Sequence, residues 1–345
     1  MSRSGRTGWC AAGYIREKLK MTETKNEVIL ELKNFKKHFP IQGGIISRTI
    51  GYLKAVDGVN LQVQKGEIFG IVGESGCGKT TLGKSLLHLI KPTSGEVIFK
   101  GKNISKLSPR NFRPFRRDLQ IIFQDPFSSL HPRMRIDSLI SEPLKIHGMH
   151  NRSQIQERVR ELIRLVGLDR YHLRKYPHEF SGGQQQRIVI ARALALNPGF
   201  IVCDEPVSAL DVSIQSQIIN LLKELRTKLN LTYMFISHNL AVIRHISDRV
   251  GVMYLGKLVE VAEVDEIYKN PLHPYTEALF SAIPVTDPSQ RKERIILQGN
   301  VPSPVDIPPG CRFQGRCKHV MDKCRDREPD LIECGDGHLV RCYLH

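Results

Sequence analysis

Polar and apolar positions alternate in two segments near the start of the chain, residues 28–33 and 59–64. A period of two is typical of strands with one buried face, so both segments are predicted strands. The short and nearly continuous apolar run at 67–72 predicts a fully buried strand, and apolar residues at helical spacing over 79–90 predict a helix. Two further strands are predicted at 96–100 and 119–123.

The middle of the chain differs in composition. Residues 125–180 are rich in Arg, Pro and His, and the stretch 154–166 has amphipathic helical periodicity, which predicts a helical insertion between two halves of a sheet. Strand patterns resume at 200–203 and 232–236, with a helical pattern at 214–229 between them. This alternation of strand and helix predicts a largely parallel α/β core.

Composition suggests three parts. The N-terminal segment is basic but has no apolar stretch long enough for a signal peptide, so we expect residues 1–25 to be a disordered leader. One α/β domain is expected over 26–283, with a helical subdomain at about 125–195. Residues 284–309 are Pro-rich and irregular, so 284–345 is predicted to be a linker followed by a cysteine-rich region.

Charge and hydropathy restrict the possible partners. No apolar run approaches the roughly 20 residues that span a bilayer, so any role at a membrane must come through a partner. The chain of 345 residues carries a formal net charge of +16, as nucleic-acid binders often do. Its Lys and Arg residues are spread along the chain, however, without a basic stripe interleaved with aromatic residues. We therefore predict no nucleic-acid partner.

Residues 73–80 read Gly-Glu-Ser-Gly-Cys-Gly-Lys-Thr and fit the phosphate-loop pattern G-x-x-x-x-G-K-S/T. The pattern follows a predicted buried strand and precedes a predicted helix, which is the context it requires. Glycines let backbone N–H groups turn inward around a β-phosphate, and the helix N-terminus adds positive potential. Lys79 supplies a mobile cation for the β- and γ-phosphates, and the Thr80 hydroxyl is suited to ligate Mg²⁺.

Two adjacent acids, Asp204 and Glu205, follow the predicted strand at 200–203. Neighbouring carboxylates repel each other and cost stability, which favours a functional role. Asp204 is a candidate Mg²⁺ ligand, directly or through water. Glu205 is the candidate general base that deprotonates an attacking water.

A second glycine-containing nest is predicted at Ser181, Gly182 and Gly183, where another helical pattern begins. One subunit does not need two phosphate nests for one nucleotide. We therefore expect this nest to close over the ATP that a partner subunit holds.

With these motifs in this order, residues 28–283 resemble the ATP-binding cassette family, although Phe180 stands where the family most often has Leu. The resemblance implies a P-loop NTPase cassette of the α/β class. Its mixed, largely parallel sheet core would carry an antiparallel β subdomain and a helical subdomain. It also implies an active ATPase whose ligands are ATP and Mg²⁺.

The family's motifs transfer to single residues. Gln124 matches the loop glutamine that senses Mg²⁺ and contacts the membrane subunit, and His238 matches the switch histidine that contacts the γ-phosphate; with Glu205 they are the predicted catalytic residues. Thr80, Gln124 and Asp204 are the implied Mg²⁺ ligands, and Phe39 is at the position that stacks on adenine. The other implied nucleotide contacts come from the Walker A loop, the signature motif and the loop that crosses the dimer interface: Gly73, Glu74, Ser75, Gly76, Cys77, Gly78, Lys79, Thr80, Thr81, Ser181, Gly182, Gly183, Gln184 and Asp211.

Residues 124–133, 180–187, 273–276 and the tail from 299 are similar to oligopeptide and dipeptide importers, although His131 replaces the usual Asn. The resemblance implies ATP-driven peptide import by two ATPase subunits, which we expect to be paralogues. Two permease subunits and an extracytoplasmic peptide-binding protein would complete the assembly, and this chain would lie at the cytoplasmic face of the cell membrane.

Two alternatives remain open for the function. The same machinery could import nickel or another small solute, because the cassette never touches the cargo. A non-transport cassette ATPase acting on DNA or the ribosome is the other alternative. Such proteins usually have two cassettes in one chain or a long coiled-coil insertion, and this sequence contains neither.

Five cysteines lie within the last 35 residues, without the paired C-x₂₋₄-C knuckles that zinc sites favour. Cysteines borne on irregular backbone suit a cubane iron–sulfur cluster; zinc and the absence of any metal remain open. Tails of peptide-importer ATPases resemble this arrangement, and some carry a 4Fe–4S cluster. Their pattern implies a set of four ligands that leaves Cys334 as the extra cysteine: Cys311, Cys317, Cys324 and Cys342. Because the ATPase motifs all end before the linker, nucleotide binding is expected not to depend on this region.

Overall fold

The computed structural model describes residues 27–43, 48–283, 294–335 and 337–345, so the expected leader at 1–25 lies outside the described residues. The strands in these ranges are β1 (Val28–Gly43), β2 (Arg48–Gln64), β3 (Ile68–Val72), β4 (Ser94–Phe99), β5 (Lys102–Asn103), β6 (Leu119–Ile122), β7 (Phe200–Asp204), β8 (Thr232–Ile236), β9 (Arg249–Tyr254), β10 (Lys257–Glu263), β11 (Ile332–Glu333) and β12 (Leu339–Val340). The α-helices are α1 (Lys79–Leu86), α2 (Pro109–Phe112), α3 (Phe115–Asp118), α4 (Pro126–Ser129), α5 (Ile136–Ile146), α6 (Arg152–Leu165), α7 (Gly182–Ala193), α8 (Val212–Leu229), α9 (Leu240–Ile246), α10 (Val264–Lys269), α11 (Pro274–Ser281) and α12 (Lys323–Asp326).

The strands form two sheets. A four-stranded antiparallel sheet has the order β2-β1-β4-β5, and an eight-stranded sheet has the order β11-β12-β10-β9-β3-β8-β7-β6. Within the larger sheet β9, β3, β8, β7 and β6 run parallel to one another, while β10, β12 and β11 add antiparallel strands at one edge. The α/β class, the largely parallel core and the antiparallel β subdomain predicted from the sequence are confirmed.

The two faces of the larger sheet pack into different hydrophobic clusters. On β3, Ile68 and Val72 belong to a cluster that contains the apolar faces of α5 to α8, whereas Phe69 and Ile71 belong to a cluster with β1, β2, β4 and α1. Every residue of β3 is buried. A strand covered on both faces has no polar side to display, which explains the continuous apolar run in the sequence.

The predicted segments of the β1–β2 hairpin are too short. These strands run for 16 and 17 residues, and their pairing register shifts repeatedly, for example between Leu32 and Phe35 and between Lys37 and His38. Each shift reverses the face that the following residues occupy, so the period of two is lost beyond residue 33. The first helix, predicted to extend to residue 90, ends at Leu86 because His88 adopts a left-handed φ of 52°.

The C-terminal region joins the larger sheet. Strand β12 pairs with β10 through Glu260 and Val340, and β11 pairs with β12. The buried carboxylate of Glu260 also shares a 2.7 Å hydrogen bond with the buried ring of His338. Residues on both sides of the irregular segment from 294 therefore build one continuous sheet.

Among the residues that the structure describes, no helix combines the length and the apolar character that a membrane span needs.

Candidate nucleotide-binding site

The glycine-containing loop connects the end of β3 to the start of α1. Gly73 has a φ of 152°, and a Cβ there would lie 2.1 Å from the carbonyl oxygen of Met253. Gly78 has a φ of 107°, and its Cβ would lie 2.0 Å from the carbonyl oxygen of Ala55. Only glycine fits at these two positions, because the loop is packed against β2 and β9. The sequence pattern thus encodes the shape of the loop as well as room for a phosphate.

Lys79 is buried at the first position of α1, and its ammonium group stays within the loop. Its Nζ donates to the carbonyl oxygens of Gly73 at 2.8 Å and Glu74 at 3.0 Å. These bonds hold the cation under the loop without a carboxylate partner among the described residues. A cation that is neutralised only by backbone dipoles is available to an incoming phosphate.

Thr80 and Asp204 meet across the ends of α1 and β7. The Thr80 hydroxyl donates a 2.8 Å hydrogen bond to the Asp204 carboxylate. Burial raises the pKa of Asp204 above its ordinary value, although the hydrogen bond from Thr80 and the charge of Lys84 oppose this effect. A divalent cation would relieve the cost of burying this carboxylate, and both oxygen atoms are of the hard type that Mg²⁺ prefers.

Glu205 lies one residue beyond β7, in a left-handed conformation with a φ of 50°. Non-glycine residues in this region are strained, and such strain is concentrated at functional sites. Its Oε2 accepts a 3.1 Å hydrogen bond from Gln124 Nε2 and shares a 3.0 Å hydrogen bond with His238 Nδ1. The three predicted catalytic residues therefore lie together.

The same edge of the sheet brings these groups together. Gln124, Asp204 and His238 follow or end β6, β7 and β8, which run parallel to β3 in the larger sheet. The carboxyl ends of parallel strands meet at one edge, where α/β proteins bind their ligands. A cleft of about 710 Å³ at this edge is lined by Phe39, Leu53, Ala55, Ser75, Gly76, Gly78, Lys79, Thr80, Thr81, Gln124, Glu205 and His238. Leu53 and Ala55 are lining residues that no sequence motif marked.

The residues of the second nest lie elsewhere. Ser181 caps α7, where its hydroxyl accepts from the Gln184 N–H at 3.4 Å and its own N–H donates to the Gln184 side chain at 3.1 Å. Asp211 lies at the N-cap position of α8 without a side-chain hydrogen bond to the helix, and both Ser181 and Asp211 are exposed. The cleft of the same chain is lined by none of these predicted contact residues: Ser181, Gly182, Gly183, Gln184 and Asp211.

The cysteine-rich region contains a cavity of its own. Cys334 is exposed and does not line this cavity. The other four cysteines of the region line it together with His273 and Phe313: Cys311, Cys317, Cys324 and Cys342. Burial raises the pKa of Cys311 to about 11. Within the described residues, no three His, Cys, Asp or Glu side chains form a group arranged to hold a metal ion.

Two contacts to Glu74 of the phosphate loop were not visible in the sequence. Tyr275 lies in the stretch 273–276, and its hydroxyl accepts from the Glu74 N–H at 2.9 Å. Arg316 forms an ion pair with Glu74, 242 positions away. No local pattern reports a contact over such a separation.

Known proteins share the sequence and the fold. A sequence profile for the ABC transporter domain matches residues 56–208, and a profile for the C-terminal region of oligopeptide/dipeptide transporters matches 259–324. The solved structure of the ATP-binding cassette MJ0796, a dimer in a post-hydrolysis state with ADP and Pi, aligns with 68% of this chain and 98% of its own at a TM-score of 0.60 and 30% identity. Alignment with cbiO1 from Clostridium perfringens gives a TM-score of 0.62 and 26% identity over 71% of this chain and 92% of that one.

Relatives of known name match over nearly their full length. The oligopeptide transport ATP-binding protein AppF of Bacillus subtilis is 53% identical over 94% of this chain and 100% of its own length. The oligopeptide transport ATP-binding protein OppF of Escherichia coli is 49% identical over 92% of this chain and 96% of its own. Identity at this level and over this length, on a cleft with the expected phosphate loop, means that the chain belongs to the ABC transporter family, among the ATP-binding proteins of its oligopeptide/dipeptide branch.

Proposed function

We propose that this chain binds and hydrolyses ATP to power the import of peptides through an ABC transporter. The geometry that carries the enzymatic part is the carboxylate of Glu205, held at 3.1 Å and 3.0 Å by Gln124 and His238 beside the phosphate loop. The peptide as cargo is supported by the names of relatives such as AppF and OppF, both oligopeptide transport ATP-binding proteins.

In this proposal each side chain of the cleft has a separate task. Lys79 and the backbone N–H groups of the loop bind the β- and γ-phosphates, and Phe39 stacks on the adenine. Mg²⁺, held by Thr80, Asp204 and Gln124, would neutralise charge that develops on the phosphates. Asp204 now accepts a 2.8 Å hydrogen bond from the Thr80 hydroxyl, and the cation would replace that hydrogen bond.

Glu205 takes the proton of the attacking water. Gln124 and His238 fix the direction of its carboxylate, and a positioned general base is worth about 10²–10⁴ in rate. The His238 side chain is 59% exposed, whereas the Glu205 side chain with which it pairs is 16% exposed. It can therefore approach a γ-phosphate in the open part of the cleft.

The second nest serves a partner in the proposed mechanism. Ser181 and Gly183 lie outside the cleft of their own chain, at the exposed start of α7. A second ATPase subunit, which we infer to be a paralogue, would place its cleft against this nest, and the chain's own cleft would face the partner's nest. ATP would then hold two subunits together, and hydrolysis would release them.

The membrane subunits would contact the region after Gln124. Phe127 is 60% exposed there, on a short helix that Asp125 caps through hydrogen bonds to the Phe127 and Ser128 N–H groups. A rigidly held and exposed aromatic residue is a typical anchor in an interface. Two permease subunits docked here would place the chain at the cytoplasmic face of the membrane, and Gln124 would link them to the Mg²⁺ site.

For the cysteine-rich region we propose a 4Fe–4S cluster held by the four cysteines of the cavity, with zinc as the alternative. Zinc sites favour paired C-x₂₋₄-C knuckles, which the cysteine spacing of this region does not contain. A cubane holds its ligands farther apart and accepts them from irregular backbone. The exposed position of Cys334, away from the cavity, supports the choice of Cys311, Cys317, Cys324 and Cys342.

The test of the proposed function is transport by the reconstituted complex. The chain, its partner ATPase and the permeases are placed in vesicles with ATP at the ATPase side, and uptake of labelled peptide and of labelled nickel is followed with the binding protein present. We expect ATP-dependent peptide uptake that the Glu205→Gln variant abolishes. ATP hydrolysis coupled to nickel uptake, with no response to peptide, would overturn the peptide assignment.

A further inference from the structure

The cysteine-rich region holds the phosphate loop directly. Arg316 pairs with the Glu74 carboxylate through two parallel bonds, from Nη1 to Oε2 at 2.8 Å and from Nη2 to Oε1 at 3.0 Å. The Arg316 side chain is only 9% exposed, and the paired carboxylate raises its pKa further above the ordinary value. The Glu74 side chain is 28% exposed, and a bidentate guanidinium–carboxylate pair is among the stronger and more directional contacts in proteins.

An aromatic group fixes the position from which Arg316 reaches the loop. Its guanidinium lies 5.9 Å from the centre of the Tyr254 ring. The buried ring of Phe313 packs against Tyr254 at 5.4 Å and Tyr275 at 5.5 Å between centroids. Because Tyr275 also accepts from the Glu74 N–H at 2.9 Å, both the backbone and the side chain of Glu74 are held.

A second arginine is connected to the Phe39 side of the cleft through a chain of contacts. Arg312 is buried and donates to the carbonyl oxygen of Leu255 and to the carboxylate of Asp57. Asp57 in turn shares a 3.0 Å hydrogen bond with the ring of His38, the residue before the cleft-lining Phe39. Arg312 adjoins Cys311 and Arg316 adjoins Cys317, and both cysteines line the cavity of the cysteine-rich region.

We propose that Arg316 is a positioning residue for ATP binding, acting through Glu74, and that the cysteine-rich region is thereby part of the nucleotide site. Glu74 brings a negative charge into a loop whose task is to bind a triphosphate. Arg316 neutralises that charge and fixes the loop in the shape that presents its N–H groups. This inference rests on the proposed function, since it assumes that the loop binds ATP.

The test measures ATP affinity in a Glu205→Gln background, where bound nucleotide is not consumed. Four proteins are compared: the background alone, Arg316→Ala, Glu74→Gln and the double variant Arg316→Ala/Glu74→Gln. Loss of Arg316 leaves the Glu74 charge uncompensated, and we expect the dissociation constant for ATP to rise about tenfold. The double variant is expected to bind no more weakly than Arg316→Ala, because two residues that act through one contact are not additive.

Arg325→Ala is the matched control. Arg325 also adjoins a cavity cysteine, Cys324, but it is exposed and its side chain has no hydrogen bond or ion pair to the described residues. Its replacement should leave ATP affinity unchanged. If Arg316→Ala does not fold, Arg316→Lys serves instead, since it keeps the charge and loses the bidentate geometry; it should bind ATP with intermediate affinity.

The possible failures can be told apart. Affinity of Arg316→Ala equal to that of the background would overturn the inference. So would a double variant weakened by the product of the two single effects, because Arg316 would then act independently of Glu74. A background protein that binds no ATP at all, while folded, would refute the proposed function instead.

Discussion

Replacing Glu205 by Gln separates nucleotide binding from hydrolysis. The Glu205 Oε2 atom accepts both the Gln124 and the His238 contacts, at 3.1 Å and 3.0 Å. An amide oxygen in the same position can accept the same two hydrogen bonds, so the geometry around residue 205 should survive. The charge and the basicity are lost. Lys79 makes its bonds to Gly73 and Glu74 and not to Glu205, so ATP binding should be retained.

The size of the effect follows from the role of the carboxylate. Removal of a positioned general base is expected to slow hydrolysis by about 10²–10⁴-fold, which adds about 3–5 kcal/mol to the barrier. Because the γ-phosphate is then not cleaved, the two clefts should stay closed. An ATP-bound dimer should therefore accumulate, and size-exclusion chromatography with ATP present would detect it.

A steady-state phosphate-release assay at saturating ATP measures the loss of turnover. The control is Glu224→Gln, which removes an equally charged side chain on α8 that is 62% exposed and, among the described residues, is paired only with Lys228. It should retain the wild-type rate. Near-wild-type turnover of the Glu205→Gln protein would refute the reasoning and move the base elsewhere, with His238 the first alternative.

Three further predictions test the remaining parts of the site. Lys79→Ala should abolish tight ATP binding in an equilibrium titration, because it removes the buried cation of the loop; unchanged affinity would mean that backbone groups alone hold the phosphates. The ATPase rate of the isolated chain should rise faster than linearly with its concentration, since Ser181 and Gly183 lie outside their own cleft. A rate per chain that stays constant on dilution of a monomeric protein would contradict a shared site. Protein purified without oxygen should be brown, absorb broadly near 400 nm and contain about four irons per chain, because thiolate-to-iron charge transfer colours a cluster and zinc cannot do so. Cys334→Ser should keep the colour. Serine should remove the colour at each of the four proposed ligand positions: Cys311, Cys317, Cys324 and Cys342. A colourless preparation with one zinc per chain would reject the cluster.

The sequence predicts the core strands well because their burial is simple. Strands β3, β7 and β8 are buried at every position, so a nearly continuous apolar run marks each of them, apart from Asp204 at the end of β7 and Thr232 at the start of β8. The β1–β2 hairpin is different, because its register shifts change the face of the strand within a few residues. Residues 249–263 form two more buried strands that pair as a hairpin, and their near-continuous apolar composition does not separate strand from helix without the tertiary partners.

The candidate site is predictable where its residues belong to short motifs. Loops that follow parallel strands converge at one edge of a sheet, so motifs at four separate places in the chain meet in the cleft. The lining residues Leu53 and Ala55 have no such signal, because they are ordinary apolar positions of an antiparallel strand. The strained conformation of Glu205 was also invisible, since nothing in the letters DEP encodes a positive φ.

The contact between Arg316 and Glu74 links the cysteine-rich region directly to the phosphate loop of the cassette. From the sequence, nucleotide binding is expected not to depend on the cysteine-rich region, because every ATPase motif ends before residue 284. That argument treats order along the chain as distance in space. Strand β12 pairs with β10, so the tail folds back onto the cassette, and Arg316 is thereby placed 2.8 Å from a residue of the phosphate loop. A loss of order around the cavity cysteines would displace Arg316 from the Tyr254 ring over which its guanidinium lies, and the charge of Glu74 would then face the nucleotide alone. The ion pair therefore gives a physical reason to expect that the state of the cysteine-rich region affects ATP affinity as well as local stability.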